Sequence, residues 1–319
     1  MKREGTVKAI VFGGSGFLGS HVAEALTKAG HDVSIYDQEQ SPHLVKGQKM
    51  IVGNILDEAK VNKVIKSADI VYNFAGVADM DEAAKNPVEA VRNNILGNTM
   101  LLESSRKNKV KRFVFASSIY VYSSAGSFYR SSKQACELII ENYHQIFGLD
   151  YTILRYGSIY GPRSNEENWI SQILKQAITK GKITRYGDGE ELREYIHVED
   201  AARCSVEILA DEYRNEHVII TGHQQIKVKD LLSMVREIMG GKISIEYRSV
   251  EDRSCPYDPS LHYQITPYSF KPKIAKKLVS RHYLDLGQGL MSCMDEIYRR
   301  DYASRRKVPV ARQEPRLTR

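Results

Sequence analysis

The stretch "VFGGSGFLGSHVAEAL" sets Gly13, Gly16 and Gly19 at three-residue intervals between a short apolar run and an amphipathic one. Glycine permits a tight turn and a close backbone approach, and the last of the three lets a helix pack tightly on a strand. The helix start that follows supplies free N–H donors and the positive end of a dipole, so this crook suits a pyrophosphate. The spacing alone is modestly specific. It is strengthened by Asp37, which closes the next apolar run eighteen residues after Gly19.

An acid at that place accepts hydrogen bonds from both hydroxyls of an adenosine ribose and repels a 2′-phosphate. No Arg or Lys follows it in "DQEQ". The reading is a dinucleotide site that prefers NAD to NADP.

The rest of the first half keeps the rhythm. The runs "KAIVFG", "DVSIYD", "KMIVG", "DIVYNFAG" and "RFVFASS" alternate with amphipathic stretches, and "YTILRYG" and "HVIITG" follow later. Continuous apolar strands alternating with helical patterns predict βαβ units and a parallel sheet covered on both faces. The predicted fold is α/β, a Rossmann-type doubly wound parallel sheet with a smaller C-terminal α/β substrate domain. Residues 1–158 form the NAD-binding domain, with segments near 192–222 returning to it. Residues 159–298 make up most of the substrate domain.

From Arg299 to Arg319 eight Lys or Arg face Asp301 and Glu314, so +6 of the net +7 lies in that tail. Residues 299–319 are read as a disordered, solvated end, and no nucleic acid is expected as a partner. There is no run of eighteen apolar residues and hence no membrane span. The charged start followed by an apolar stretch mimics a signal peptide, but the glycines interrupt it. The 4 cysteines lie far apart with no C-x-x-C, which predicts neither disulfides nor a metal site and fits a reducing cytoplasm.

"YRSSKQ" places Tyr129 four residues before Lys133. In a chain with 19 tyrosines such a spacing arises by chance about once, so its company decides. "FVFASSIYVYS" reads as a strand running out into Ser117 and Ser118 at the carboxyl edge, where open α/β sheets place ligands. Tyr129 and Lys133 then share one face of the next helix. A tyrosine working as a base near pH 7 must be stabilised as phenolate by roughly 3 pKa units, about 4 kcal/mol, and a nearby ammonium does this. Ser118 would orient the hydroxyl that loses its proton.

With these residues the chain resembles the extended short-chain dehydrogenase/reductase family, in particular its NAD-dependent epimerase/dehydratase members. The resemblance rests on "GGSGFLG", "NNILGNTMLLESS", "SSIYVY", "YRSSK", "LRYGSIYGPR" and "GDGEELREYIHVEDAA" in the family's order. It runs from about residue 7 to 205 and more weakly to about 298. It implies catalytic roles for Ser118, Tyr129 and Lys133, with Asn94 at a structural or catalytic-water position. NAD contacts are implied for Gly13, Gly16, Phe17, Leu18, Gly19, Asp37, Asn54, Ile55, Phe74, Ala75, Asn94, Tyr129 and Lys133. Substrate contacts are implied for Ser158, Asn168, Arg193 and Arg253, with Arg193 clamping the diphosphate of a nucleotide sugar. His197 is read as structural. The helices around 98–108 and 131–147 are implied to pair in a homodimer.

The chain also departs from the pattern. Dehydratases of the family carry Asp-Glu, and UDP-glucuronate decarboxylases a Glu, just after the catalytic Ser or Thr. Here Ile119 and Tyr120 follow Ser118. Tyr129 comes only eleven positions after Ser118, a shortened loop with two readings: a site opened beside the sugar for an altered substrate, which is preferred, or a harmlessly trimmed loop. Asn54 stands where the family has Asp, with an oxygen able to accept from an adenine amino group. The resulting expectation is a nucleotide-sugar 4-epimerase. The alternatives are a 4-keto-sugar reductase or hexuronate decarboxylase with the same triad, or a non-catalytic NAD-binding protein, which the intact triad disfavours.

Overall fold

The structure is a computed structural model that describes residues 5–252, 254–256, 258, 261–262 and 274–303. Arg253 and residues 304–319 lie outside the described residues.

In chain order the first half runs β1 (Lys8–Phe12), α1 (Phe17–Lys28), β2 (Asp32–Asp37), β3 (Lys49–Val52), α2 (Glu58–Ile65) and β4 (Ile70–Asn73). Then come α3 (Met80–Lys85), α4 (Pro87–Ala90), a π-helical segment (Val91–Leu96), α5 (Gly97–Lys107) and β5 (Arg112–Ser118). A 3₁₀ turn (Ile119–Tyr122) leads to α6 (Ser127–Phe147) and β6 (Tyr151–Tyr156). The second half holds β7 (Ser158–Tyr160), α7 (Trp169–Lys180), β8 (Lys182–Tyr186), β9 (Leu192–Arg193), β10 (Tyr195–His197) and α8 (Val198–Glu207). It ends with β11 (Glu216–Ile220), β12 (Ile226–Lys227), α9 (Val228–Ile238), β13 (Ser244–Arg248), β14 (Lys276–Lys277) and α10 (Leu286–Tyr298).

Eight strands form one parallel sheet in the order β14-β11-β6-β5-β4-β1-β2-β3. Both faces are covered, which is why its strands read as unbroken apolar runs. Val22 and Leu26 of α1 and Ala201 and Cys204 of α8 pack on one face. Val61 of α2, Leu101 and Leu102 of α5 and Ile140 of α6 pack on the other. The strand order reverses between β1 and β4, and that switch point opens a crevice at the carboxyl edge. A third apolar cluster draws Leu174, Leu231, Val235 and Leu290 from α7, α9 and α10, beside three two-stranded pairings, β10-β7, β12-β9 and β13-β8.

Local signals explain several boundaries. Gly148 ends α6 in the left-handed conformation (φ 70°), as Gly181 ends α7 (φ 61°). One expectation needs correcting. Arg299–Ala303 is not structureless but continues α10 as a π-helical turn, with Arg299 on Asp295 at 2.8 Å and Arg300 on Asp301 at 2.9 Å. The i, i+4 pairing that anchors Arg299 was outweighed in the sequence by the basic run beyond it. Among the described residues no helix is long and apolar enough to cross a membrane.

Candidate active site

At the switch point the glycine turn, the end of β2 and the loop after β4 enclose a cleft of about 510 Å³. Gly13 sits at φ 74°, and a Cβ there would come within 2.6 Å of the Ala75 nitrogen. A Cβ on Gly19 would come within 2.1 Å of the Gly13 carbonyl oxygen. The turn is therefore folded onto itself and onto the neighbouring strand end. Of the expected cofactor residues, Gly13, Gly16, Asp37, Ile55, Phe74 and Ala75 line the cleft. Phe17 and Leu18 open α1, and Gly19 packs behind the turn.

The Asp37 carboxylate accepts from the backbone N–H of Ser15 at 2.9 Å and of Gln38 at 2.7 Å. Glu39 N–H adds a longer contact to Oδ1 at 3.5 Å, so of about four acceptor sites on a carboxylate one, on Oδ2, stays open to the cleft. Asn54 is less available than the sequence suggested, since its Oδ1 accepts from Leu56 N–H at 2.8 Å. The outer wall was not foreseen. Asp79, Glu82, Asn165 and Glu167 also line the cleft. Burial, with Asp79 and Glu82 close by, raises the pKa of Glu167. The loop carrying Asn165 is tied across to α1: Arg163 donates to Glu24 at 2.5 Å, and His21 Nε2 donates to the Pro162 carbonyl at 3.0 Å.

Ser118 is the buried last residue of β5, and its Oγ accepts from Tyr120 N–H at 3.3 Å. Tyr129 and Lys133 lie four apart on α6. Lys133 is buried, its Nζ donates to the Ala116 carbonyl at 2.8 Å, and it stands 5.7 Å from the Tyr129 ring centroid. Burial lowers the lysine's pKa, while Cys136 and Glu137 act to raise it.

Asn94 lies in the π-helical segment, a feature that tends to mark functional sites and that the sequence gave no sign of. Its Oδ1 accepts from Val77 N–H at 2.7 Å, and its Nδ2 donates to the Val77 carbonyl at 3.0 Å and to Ser132 Oγ at 2.9 Å. Ser132 Oγ in turn donates to the Tyr129 carbonyl at 2.8 Å. Asn94 thus links a wall of the cleft to the helix that carries Tyr129.

The shortened loop packs on Tyr129 rather than away from it. The ring of Tyr120 meets that of Tyr129 edge-on, with centroids 6.1 Å apart, and Gly126 approaches it so closely that a Cβ would lie 2.8 Å from Tyr120 Cδ1. The Tyr120 hydroxyl lies 3.5 Å from His262 Nδ1. His262 belongs to a stretch without any motif and was not anticipated. Burial lowers its pKa, and it also feels Asp81, Arg193, Asp79 and Arg185, which brings the predicted clamp Arg193 into the same neighbourhood.

The other substrate candidates fare unevenly. Ser158 begins β7, half-buried at the carboxyl edge. Asn168 caps α7, its Oδ1 accepting from Ser171 N–H at 3.3 Å and its Nδ2 donating to the Ile159 carbonyl at 3.0 Å, so its side chain is occupied by local structure. Arg253 lies outside the described residues. His197 caps α8 from a buried position, accepting from Glu199 N–H at 3.4 Å. Among the described residues no group of three His, Cys, Asp or Glu is placed to hold a metal ion.

Comparison with known proteins agrees with this architecture. The profile of the NAD dependent epimerase/dehydratase family matches residues 9–221. A UDP-N-acetyl-alpha-D-glucosaminuronate decarboxylase of Bacillus cytotoxicus is 25% identical over 257 residues, 72% of this chain and 80% of its own length. A UDP-glucose 4-epimerase of Lactobacillus helveticus is 31% identical over 228 residues, 61% of this chain and 69% of its own. The crystal structure of a UDP-glucuronic acid 4-epimerase from Bacillus cereus, in complex with UDP-glucuronic acid and NAD, superposes with a TM-score of 0.75 at 25% identity, covering 92% of this chain and 99% of that one. The family profile spans two thirds of the chain, and the chain belongs to the NAD-dependent epimerase/dehydratase family.

Proposed function

We propose that the protein is a nucleotide-sugar 4-epimerase that holds NAD in the switch-point cleft. The observation that carries the reading is the turn after Ser118. It presents buried Ile119 and the Tyr120 ring where an eliminating or decarboxylating enzyme of the resembled family has a carboxylate.

Gly13 and Gly16 would face the pyrophosphate and Asp37 the adenosine ribose, which fits a cradle that a Cβ would fill. NAD supplies a reversible hydride acceptor for C4 of the sugar. Tyr129 takes the proton of the C4 hydroxyl, and the Lys133 ammonium at its ring favours the phenolate. Ser118 orients that hydroxyl from the end of β5. Arg193 would hold the diphosphate while the 4-keto sugar turns over, so that C4 would regain its hydrogen on the opposite face as Tyr129 returned the proton to the C4 oxygen. The exposed apolar side chains Leu138 and Ile146 on α6 suit pairing of two copies through α5 and α6.

The test is proton NMR of the protein incubated with UDP-, GDP-, CDP- and dTDP-sugars, including UDP-glucuronate, without added NAD(H). Appearance of a C4 epimer is expected. A pentose formed from the hexuronate, or turnover only when NADH is supplied, would replace the epimerase by the decarboxylase or the reductase.

A further inference from the structure

Beneath the reacting residues lies an ion pair that the proposed chemistry does not use. Glu137 and Arg155 are both buried, with Arg155 wholly so. Arg155 Nε donates to Glu137 Oε1 at 3.0 Å and Nη2 to Oε2 at 2.7 Å, a two-pronged grip. Replacing such a buried pair by apolar residues of similar size is often neutral or stabilising, so stability alone is a poor reason for its presence.

Its connections suggest another. Glu137 follows Lys133 by one helical turn, on the same face of α6. Lys133 grips β5 at the Ala116 carbonyl, and Glu137 grips the next residue, accepting from Ser117 Oγ at 2.5 Å. The residue after that is Ser118. Arg155 lies opposite Ser117 in the β5–β6 register, and its Nη1 donates to the Tyr122 hydroxyl at 2.5 Å, with the guanidinium 4.8 Å from the Tyr122 ring centroid. Tyr122 closes the turn that Ser118 begins. One ion pair therefore ties together the strand end that bears Ser118, the turn after it and the helix that bears Tyr129 and Lys133.

We infer that Glu137, held by Arg155, is a positioning residue that keeps Lys133 charged and in register with Ser118 and Tyr129. This rests on the reading of Tyr129 and Lys133 as the reacting pair. The groups facing Lys133 are Tyr129, Cys136 and Glu137 from α6, and the Phe115 ring and Ala116 carbonyl from β5. The groups facing Glu137 are Lys133 and Cys136 from α6, Ser117 from β5, Tyr151 and Arg155 from β6, and His217 from β11, whose Nε2 is 4.0 Å from Oε2 and 3.1 Å from Glu141. Tyr122 reaches it through Arg155. Without Glu137 the lysine keeps its desolvation and loses a carboxylate that opposes it.

The experiment is a pH titration of Lys133 by NMR in protein labelled at lysine 13Cε, its peak assigned by absence in Lys133→Met. The double variant Glu137→Gln/Arg155→Met removes the pair without stranding a buried charge. The expected result is about a tenfold loss of proton affinity at Lys133, while Arg155→Lys, which keeps a cation on Glu137, retains the wild-type midpoint. A folded double variant with an unmoved midpoint would overturn the inference. Should the double variant fail to fold, Glu137→Gln alone is titrated instead, and an unmoved Lys133 midpoint there overturns the inference as well, while a lowered one supports it. The titration needs no substrate. An inert protein that shows the shift sinks the epimerase reading alone, and an epimerase with an unmoved titration sinks the role of Glu137 alone.

Discussion

Gly16→Ala separates binding from folding at the glycine turn. Gly16 has φ −74° and ψ 178°, a conformation open to alanine, and its added Cβ would meet only the Gly13 carbonyl oxygen at 3.4 Å. The fold should therefore tolerate the methyl group, or gain about 0.4–1 kcal/mol from a stiffer unfolded chain. The cleft should not tolerate it, because Gly16 lines the wall over which the pyrophosphate would pass. Losing one hydrogen bond from a backbone N–H to a charged phosphate costs about 1.5–3 kcal/mol. At 1.4 kcal/mol per decade that weakens NAD about 10- to 150-fold. Calorimetric titration with NAD reads the affinity, and a melting curve reads the fold. Gly19→Ala supplies the contrast, since its Cβ would overlap the Gly13 carbonyl at 2.1 Å and should lower both. An NAD affinity within twofold of wild type in Gly16→Ala, with an unchanged melt, would refute the proposed path of the pyrophosphate.

Other consequences can be checked separately. Tyr129→Phe should cut epimerisation by about 10²- to 10⁴-fold without altering the melt, and a variant retaining a tenth of wild-type turnover in the NMR assay would remove Tyr129 as the base. Burial holds His21 at a pKa of about 4, against 6.5 in the unfolded chain. Between those values the unfolded state binds more protons, so its contribution is complete above pH 6.5 and falls by about 3 kcal/mol as pH drops to 4. His21→Gln should flatten that limb in urea midpoints measured from pH 7 to 4, and an unchanged slope would count against the burial argument. Leu138 is 62% exposed on α6, so Leu138→Asp should convert a homodimer to monomer by light scattering; a wild-type protein that is already monomeric would exclude pairing through this face.

Much was legible in the sequence because the features were local. The period of the apolar runs announced a parallel sheet, and the three glycines announced a tight turn before α1, since a turn of that tightness admits few residues. Tyr129 and Lys133 could be placed on one helix face by counting. What escaped were contacts between segments distant in the chain. Asn165 and Glu167 reach the cleft only because Arg163 and Pro162 bind α1, more than a hundred residues earlier. Nothing near His262 in the sequence points to Tyr120, and nothing near Asn168 reveals that its amide is occupied at Ile159.

The division has a physical basis. Periodicity, turn chemistry and helix spacing are properties of short stretches of chain, so the sequence by itself determined the layered α/β fold, the glycine turn and the placing of Tyr129 and Lys133 one helical turn apart. Burial and pairing across the sheet depend on which strands become neighbours. Only the tertiary structure brought Arg155 of β6 to Glu137 of α6, laid Tyr120 against Tyr129 and closed the cleft with a loop from the second half of the chain.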